Sequence, residues 1–279
     1  MALFISALAS GSNGNCYYVG NDTEAVLIDA GISCRELERR MNRLKLPMQN
    51  IKALFISHEH SDHTQGVALL AKKYNLPVYL TAGTLRHSGL RLYSHPVFAI
   101  TDNQPVSIGN ISVVSFSKAH DAAEPHSFVV SCGGVTVGVF TDIGRPCARL
   151  IGHFTQCHAA FLEANYDETM LLQGSYPAHL KARIRGGNGH LSNTQALELF
   201  QKHRPAFMSH LVLSHLSKNN NCPKLVSSLF NRCARGTEIV VASRYQETAV
   251  YAVQAGFTAT ETAPAHYRSP VLQLTLSFT

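Results

Sequence analysis

Short apolar runs separated by polar turns alternate along the chain with amphipathic segments, a pattern that predicts a mixed α/β protein. In the first hundred residues, strands are predicted at 3–9, 16–20, 25–29, 53–57 and 78–80. Two segments, Ser33–Leu44 and Gly66–Tyr74, have apolar side chains at helical spacing and predict helices. This alternation favours a sheet whose strands are joined through helices.

The middle of the chain is richer in predicted strands. Gly109-Asn110 and Gly133-Gly134 each separate two apolar runs, which predicts two β-hairpins. Ser192 begins a capping-box sequence, so we expect a helix from there to about His203. Further elements are predicted at 160–163, at 207–213 and in a last α/β stretch at 223–279. Together these elements predict two sheets with outer helices, an αββα sandwich that forms a single domain over residues 1–279.

Composition excludes several classes of protein. No apolar run approaches the roughly 18 residues that a membrane span needs, and the first residues lack the basic segment of an export signal. The seven cysteines include no Cys-x-x-Cys pair, which fits a reducing, cytoplasmic location better than a disulfide scaffold. The net charge of +6 is modest and gives only weak support for a nucleic-acid partner.

The 15 histidines include one dense cluster, His58-Glu59-His60-Ser61-Asp62-His63. It follows a predicted buried strand and precedes a predicted helix, so its side chains converge at the end of a sheet. Imidazole and carboxylate groups suit zinc, manganese, iron or nickel. The histidines are two and three residues apart, which fits an extended loop rather than the helical H-E-x-x-H zinc site. A solvated polar loop is the alternative, but three histidines and an aspartate at one strand end favour a metal site.

The order His-x-His-x-Asp-His after a strand resembles the signature of the metallo-β-lactamase superfamily. The remaining motifs of that superfamily follow in order: His120 in S-K-A-H-D, Asp142 in F-T-D-I-G and His215 in L-S-H-L-S. Asp29, in L-I-D-A-G, matches an acid that usually lies behind the ligands. The joint order makes these single matches meaningful, although each is weak alone.

The resemblance implies two divalent metal ions, zinc or manganese first and iron or nickel as alternatives. One ion is expected to bind His58, His60 and His120. The other is expected to bind Asp62, His63 and His215, with Asp142 bridging the two. Two metals about 3.5–4 Å apart can activate a bridging hydroxide and hold a phosphoryl oxygen.

Two further segments resemble those of the nucleases in this superfamily. His190 lies in a Gly-rich loop, G-G-N-G-H-L-S-N, and is expected to stabilise the transition state or protonate the leaving oxygen. Glu163, in L-E-A-N-Y-D, resembles the acid that orients this histidine. We therefore expect His190, Asp62 and Glu163 to contribute directly to catalysis. The alternatives are a histidine with a structural hydrogen bond and a glutamate at the surface.

Candidate contacts to phosphate lie on both sides of this site. Lys181, Arg183 and Arg185 precede the His190 loop and could follow a phosphate backbone, although a solvated helix face would look the same. The loop containing Ser10, Ser12 and Asn15 could present amide groups to an anion. A tight turn between the first two strands explains that loop equally well.

Spacing distinguishes among the nucleases of the superfamily. Asp142 follows His120 by 22 residues, which leaves no room for the tRNA-gripping arm of RNase Z. His190 follows Asp142 by 48 residues, too few for the β-CASP domain of RNase J. The chain resembles the compact YycJ/WalJ subfamily, with S-G-S-N-G-N at Ser10–Asn15 and H-D-A-A-E-P at His120–Pro125.

This resemblance implies a cytoplasmic 5′→3′ exonuclease that acts on double-stranded DNA and is linked to DNA repair. The residues by themselves predict only a two-metal phosphodiesterase. Together with the resemblance they imply a nucleic-acid partner, DNA being favoured over RNA, and no membrane association is expected. A hydrolase of thioesters or lactones and a nuclease that acts on RNA are the alternatives. A binding protein without catalysis is disfavoured because all seven expected ligands are present. The oligomeric state cannot be read from the sequence.

Overall fold

Two seven-stranded sheets form the centre of the molecule in the computed structural model, which describes residues 2–92 and 95–256. The first sheet has the order β14-β1-β2-β3-β4-β5-β6. Its strands are β1 (Ala2–Ala9), β2 (Cys16–Gly20), β3 (Ala25–Ile28), β4 (Ile51–Phe55), β5 (Val78–Leu80), β6 (Val97–Ala99) and β14 (Tyr251–Gln254).

The second sheet has the order β13-β12-β11-β10-β9-β8-β7. Its strands are β7 (Pro105–Ile108), β8 (Ile111–Ser117), β9 (His126–Cys132), β10 (Val135–Phe140), β11 (Ala159–Glu163), β12 (His210–Ser214) and β13 (Glu238–Val241). Strands β3 to β6 are parallel to one another, and so are β10 to β13. Each sheet therefore has one edge at which the carboxyl ends of several strands and their following loops meet.

Nine α-helices occur in the part of the chain that the structure describes. They are α1 (Cys34–Arg43), α2 (Ser61–Thr64), α3 (Val67–Tyr74), α4 (Ala82–His87), α5 (Ala148–Phe154), α6 (Glu168–Gln173), α7 (Ala178–Arg185), α8 (Asn193–His203) and α9 (Pro223–Asn231). Local capping sets their ends: the Ser33 side chain accepts a hydrogen bond from the backbone of Glu36, and Ser192 and Gln195 form the predicted capping box. No described helix is long and apolar enough to cross a membrane.

Three apolar layers hold the sheets and helices together. The middle layer lies between the two sheets and includes Ile28, Phe55, Phe128 and Phe161. A second layer packs α1 and α3 against the outer face of the first sheet, through residues such as Leu37 and Leu70 with Leu27 and Leu54. A third layer does the same for the second sheet, with Phe154 and Phe200 against Leu162 and Leu213. The layer order is therefore α, β, β, α.

The αββα architecture and both hairpins are confirmed. The interval between His120 and Asp142 holds only the β9–β10 hairpin, and no insertion domain occurs among residues 2–92 and 95–256. Of the last α/β stretch, predicted at 223–279, the structure describes α9, β13 and β14. Residues 257–279 lie outside the described residues, as does the end of the single domain predicted over residues 1–279.

Candidate metal centre

The candidate site lies where both sheets present the ends of their strands. The first sheet supplies the loop after β4 and the short helix α2, which contain His58, His60, Asp62 and His63. The second sheet supplies residues at or after the ends of β8, β10, β11 and β12, which are His120, Asp142, Glu163 and His215. All seven predicted ligands are therefore collected at one place, between the two sheets.

Their donor atoms form two sets that match the predicted division. His58, His60 and His120 have ligand atoms within 4.8 Å of one another, and so do Asp62, His63 and His215. Each set takes two residues from the first sheet and one from the second. Asp142 belongs to a group with His58 and His63 and to another with Glu163, His190 and His215. It therefore lies between the two sets, as a bridging carboxylate must.

The chemistry of the donor atoms fits divalent metal ions. Nε2 of His120, Nε2 of His215 and Oδ2 of Asp142 are buried without a hydrogen-bond partner. Buried polar atoms rarely lack a partner, because the free-energy cost of removing them from water is then not offset by a hydrogen bond in the protein. Nε2 of His58 lies only 3.0 Å from Nδ1 of His60, so the rings point at a common position. These atoms converge as ligands of a cation would.

Backbone conformation helps to aim these groups. Asp29, Asp142 and His215 have φ values of 62°, 54° and 56°, a left-handed conformation that is uncommon for residues other than glycine. Each follows the end of a strand, so the chain turns sharply and leaves its side chain in the site. Such conformations persist where surrounding contacts hold them and are frequent at functional sites.

Hydrogen bonds from behind fix the orientation of the histidines. His63 Nδ1 donates to Asp29 Oδ2 at 2.7 Å, and His58 Nδ1 donates to Ser57 Oγ at 2.9 Å. Ser57 Oγ in turn donates to Asp29 Oδ2 at 2.8 Å. Asp29 thus lies behind the ligands, and it holds two rings so that their Nε2 atoms face the site.

Glu163 links the second set to His190. Its Oε1 accepts hydrogen bonds from Nδ1 of His190 at 2.8 Å and from Nδ1 of His215 at 2.9 Å. Its Oε2 accepts from the backbone of Ile143 at 2.7 Å and of Leu191 at 3.1 Å. The structure thus brings His190 and Glu163 together. It also adds a contact between Glu163 and the ligand His215 that the sequence did not suggest.

The site is strongly charged, and the charges alter the pKa values of its members. Burial lowers the pKa of His58 because the cationic ring would lose its water. Burial acts the same way on His215, but the carboxylates of Asp142, Asp62 and Glu163 outweigh it and raise the pKa to about 10. Burial alone would raise the pKa of Asp142, yet the charges of His215 and His63 hold it well below its usual range. The ionised form of Asp142 is therefore favoured, and it attracts positive charge to the site.

Three residues at the candidate site were either not predicted from the sequence or predicted in another role. Lys118 is buried and donates from Nζ to the carbonyl of Thr141 at 2.7 Å, and burial lowers its pKa. Nδ2 of Asn15 lies 3.3 Å from Oδ2 of Asp62 and 3.1 Å from Nε2 of His63. Asn165 donates to the carbonyl of His215 at 2.7 Å. The only sequence signal for Lys118 and Asn165 is their closeness to a ligand or to Glu163 in the chain.

The residues predicted to contact phosphate differ in whether their side chains already form hydrogen bonds or ion pairs within the protein. Ser10 Oγ accepts from the backbone of His215 at 2.7 Å, so it is used inside the protein. Arg183 forms an ion pair with Asp121, next to His120, and Lys181 donates to the carbonyl of Leu172. The side chains of Ser12 and Arg185 are exposed.

Comparison with known proteins agrees with this architecture. The family model described as "Beta-lactamase superfamily domain" matches residues 24–216. "Exodeoxyribonuclease YycJ" of Bacillus anthracis is 35% identical over 228 residues, which cover 81% of this chain and 86% of that protein. "Exodeoxyribonuclease WalJ" of Streptococcus pneumoniae is 32% identical over 225 residues, 79% of this chain and 84% of that protein.

A solved structure extends the agreement to three dimensions. YhfI of Bacillus subtilis, described as a metallo-β-lactamase fold protein, matches with a TM-score of 0.70. The match covers 90% of this chain and all of that one, and at 16% identity it shows the shared fold alone. From the fold, the ligand cluster and the sequence identities together, the chain is a hydrolase of the metallo-β-lactamase superfamily and belongs, within it, to the YycJ/WalJ family.

Proposed function

We propose that this protein is a two-metal phosphodiesterase that degrades double-stranded DNA from the 5′ end. The observation that carries the proposal is the pair of ligand sets at the sheet ends, with the unpartnered donor atoms of His120, Asp142 and His215 aimed between them. The names of the two relatives, both called exodeoxyribonucleases, supply the substrate class.

Each ligand has a proposed place. His58, His60 and His120 would hold one ion, Asp62, His63 and His215 would hold the other, and Asp142 would contribute to both. Bound there, zinc or manganese, with iron or nickel as alternatives, supplies an activated water and positive charge for the phosphoryl oxygens. Asp62 and Asp142 bring negative charge that strengthens cation binding, and Asp29 keeps His63 and His58 correctly turned.

His190 is proposed to act on the leaving group. Glu163 Oε1 accepts a hydrogen bond from Nδ1 of His190 at 2.8 Å and so fixes the orientation of the ring. The opposite nitrogen, Nε2, can then donate a proton to the departing oxygen or a hydrogen bond to the phosphate. The His190 ring centre lies 5.2 Å from that of His215 and 5.3 Å from that of His120, which places it beside both ligand sets.

The polynucleotide is proposed to lie over the exposed face of α7 and the Ser10–Asn15 loop. Arg185, Lys181 and Arg183 contribute positive charge, while exposed Ser12 and the loop amides contact phosphate. Ser10 and Asn15 act through the hydrogen bonds that hold this loop against His215 and Asp62. The proposal includes a cytoplasmic location and a part in DNA repair.

Removal of a ligand tests the metal-dependent part of the proposal. We expect His58→Ala and Asp62→Ala to abolish hydrolysis of end-labelled duplex DNA, with bound metal falling in proportion and far-ultraviolet circular dichroism unchanged. Asp22→Ala, which removes an exposed carboxylate in the turn between β2 and β3, is the matched control and should retain activity. A metal-free Asp62→Ala protein that still cleaves DNA would contradict the mechanism.

The substrate is tested by direct comparison. Duplex DNA, single-stranded DNA and RNA, each with and without a 5′-phosphate, are incubated with protein loaded with zinc or manganese, with a chelator control. We expect duplex DNA to be shortened from its 5′ end. If the enzyme cleaves RNA faster than DNA, its proposed substrate becomes RNA. Turnover of thioesters or lactones with no cleavage of any polymer would overturn it.

A further inference from the structure

Arg244 is a cation beside the candidate site that none of the sequence motifs contains. Its Nη1 donates to Oδ1 of Asn13 at 2.9 Å, and its Nη2 donates to the carbonyl of Leu216 at 2.5 Å. Both acceptors are neutral, and no ion pair joins Arg244 to a carboxylate within residues 2–92 and 95–256. A half-buried guanidinium with five N–H donors therefore retains donors and a full charge for a further partner.

The location of Arg244 ties it to the set formed by Asp62, His63 and His215. Leu216 directly follows the ligand His215, and Asn13 belongs to the loop whose Asn15 contacts Asp62 and His63. The guanidinium lies against Gly11, where an added Cβ would meet Nη2 at 3.1 Å. Gly11 has a φ of 140°, so its lack of a side chain serves both the turn and the close approach of Arg244.

The surroundings of Arg244 suit a nucleotide. Tyr176 lies against the loop that follows His215, where its hydroxyl accepts a hydrogen bond from Asn219 at 3.3 Å. Lys218, three residues after the ligand His215, is exposed and adds positive charge to the same loop. A planar guanidinium matches the two oxygens of a phosphate, while a partly exposed tyrosine ring can lie against a base or sugar.

We infer that Arg244 binds a phosphate group of the polynucleotide adjacent to the one that is cleaved, with Asn13 and Gly11 shaping the contact. This assignment rests on the proposed nuclease function. The phosphate has two possible sources, a terminal 5′-phosphate or the next internal phosphodiester of the strand, and both present the same anionic oxygens. Arg244 is a substrate-binding residue here and takes no part in proton transfer.

The variants Arg244→Gln and Arg244→Lys test the contact, and Arg232→Gln is the matched control. Arg232 is exposed at the carboxyl end of α9, and its substitution changes net charge by the same amount. KM and kcat for duplex DNA are measured with the metal-loaded enzyme between about 50 and 200 mM salt. For Arg244→Gln we expect KM to rise about tenfold, with most of the loss in kcat/KM residing in KM.

Salt dependence separates a phosphate contact from a structural tether. Losing one phosphate contact should reduce the slope of log KM against log salt by about one, which a merely displaced loop would not do. Arg244→Lys should keep the wild-type slope because it keeps the charge. If Arg244→Gln retains the wild-type slope, whatever its KM, or if Arg244→Lys loses the slope as fully, the inference is wrong.

A comparison of 5′-phosphorylated and 5′-hydroxyl duplexes identifies the source of the phosphate. If Arg244 binds the terminal group, Arg244→Gln equalises the two substrates; if it binds an internal phosphodiester, both weaken equally. Both results support the contact. A wild-type enzyme that cleaves no polynucleotide would instead overturn the proposed function, so the two failures are distinguishable. Arg244→Lys remains informative if Arg244→Gln does not fold.

Discussion

At the scale of single residues, Glu163 is a buried acid whose environment is fully taken up by hydrogen bonds. It is fully buried, and its two oxygens accept four hydrogen bonds, two from histidine rings and two from backbone amides. Burial alone would raise its pKa, but His190 and the hydrogen bonds from both histidines hold the pKa below its usual range. Glu163 is therefore a fixed negative charge that orients one ligand and one proposed acid.

Substitution of His190 distinguishes a proton donor from a ligand. We expect His190→Ala to lower kcat by about 10²–10⁴-fold, the usual contribution of a general acid, while the metal content stays at the wild-type level. His190 also belongs to a group of side chains that could hold an ion. Metal analysis by mass spectrometry is therefore essential, and loss of metal from His190→Ala would reassign it as a ligand. His203→Ala, in the last turn of α8, is the control.

Residues differ in how far the sequence could predict them. The clustering of the candidate ligands was predictable because His58 to His63 lie in one loop and because His120, Asp142 and His215 follow strands in a family-specific order. Arg244 was not, because its partners Asn13 and Leu216 are distant in the chain and lie in loops that only the assembled sheets bring together. Lys118 was missed for a related reason, since its burial depends on packing that no local pattern reveals.

At the scale of elements, the parallel pair β10–β11 begins with a reciprocal contact. His158, just before β11, donates its backbone N–H to the carbonyl of Thr136 at 2.8 Å, and Thr136 N–H donates to Nδ1 of His158 at 3.1 Å. An accepting Nδ1 requires the neutral ring. Burial also lowers the pKa of His158, since the charged form would lose its water.

This contact predicts a dependence of stability on pH. A histidine whose folded pKa is lowered contributes stability above its unfolded pKa of about 6.5, and that contribution is lost as pH falls below it. His158→Asn can keep an acceptor for Thr136 without titrating. We expect the urea midpoint to fall less between pH 8 and pH 5 in His158→Asn than in the wild type. An equal fall in both proteins would rule out this role, and His179→Asn serves as the exposed control.

Element boundaries were predicted well where a local signal marks them and poorly where pairing is distant. The helix after Ser192 begins and ends as expected because its capping box is contained in four residues. The pairing of β14 with β1 joins Tyr251–Gln254 to residues 2–5. These strands are far apart in the chain, so no hairpin turn between them indicates the pairing in the sequence. Next to this pairing, the Thr248 hydroxyl forms hydrogen bonds with the Ser6 hydroxyl and with the backbone N–H of Ala7.

At the scale of the whole molecule, the candidate metal centre joins the two sheets. Each ligand set takes two residues from the first sheet and one from the second, and Asp29 and Glu163 support the ligands from opposite sheets. Any ion held there would connect the two halves of the sandwich directly. Binding to the folded state alone would then stabilise the fold by mass action.

Metal addition should therefore raise the thermal stability of the chelator-treated protein. At a free metal concentration of 100 times Kd, one site contributes about 2.7 kcal/mol, which corresponds to an increase in Tm of about 5 °C or more in a chain of this size. Differential scanning calorimetry with zinc or manganese measures the shift. Asp62→Ala and His58→Ala should each show a smaller shift. No shift in the wild type with any divalent ion would contradict a metal-linked fold.

The apolar layer between the sheets has a consequence for how such a protein can diversify. Small side chains such as Ala53 and Ala159 lie in that layer, and their size contributes to the distance between the sheets. Because every ligand set spans both sheets, this distance also sets the size of the opening that an ion must fit. A larger side chain in this apolar layer could thus change which metal ion the site prefers, although none of the ligand residues had been substituted.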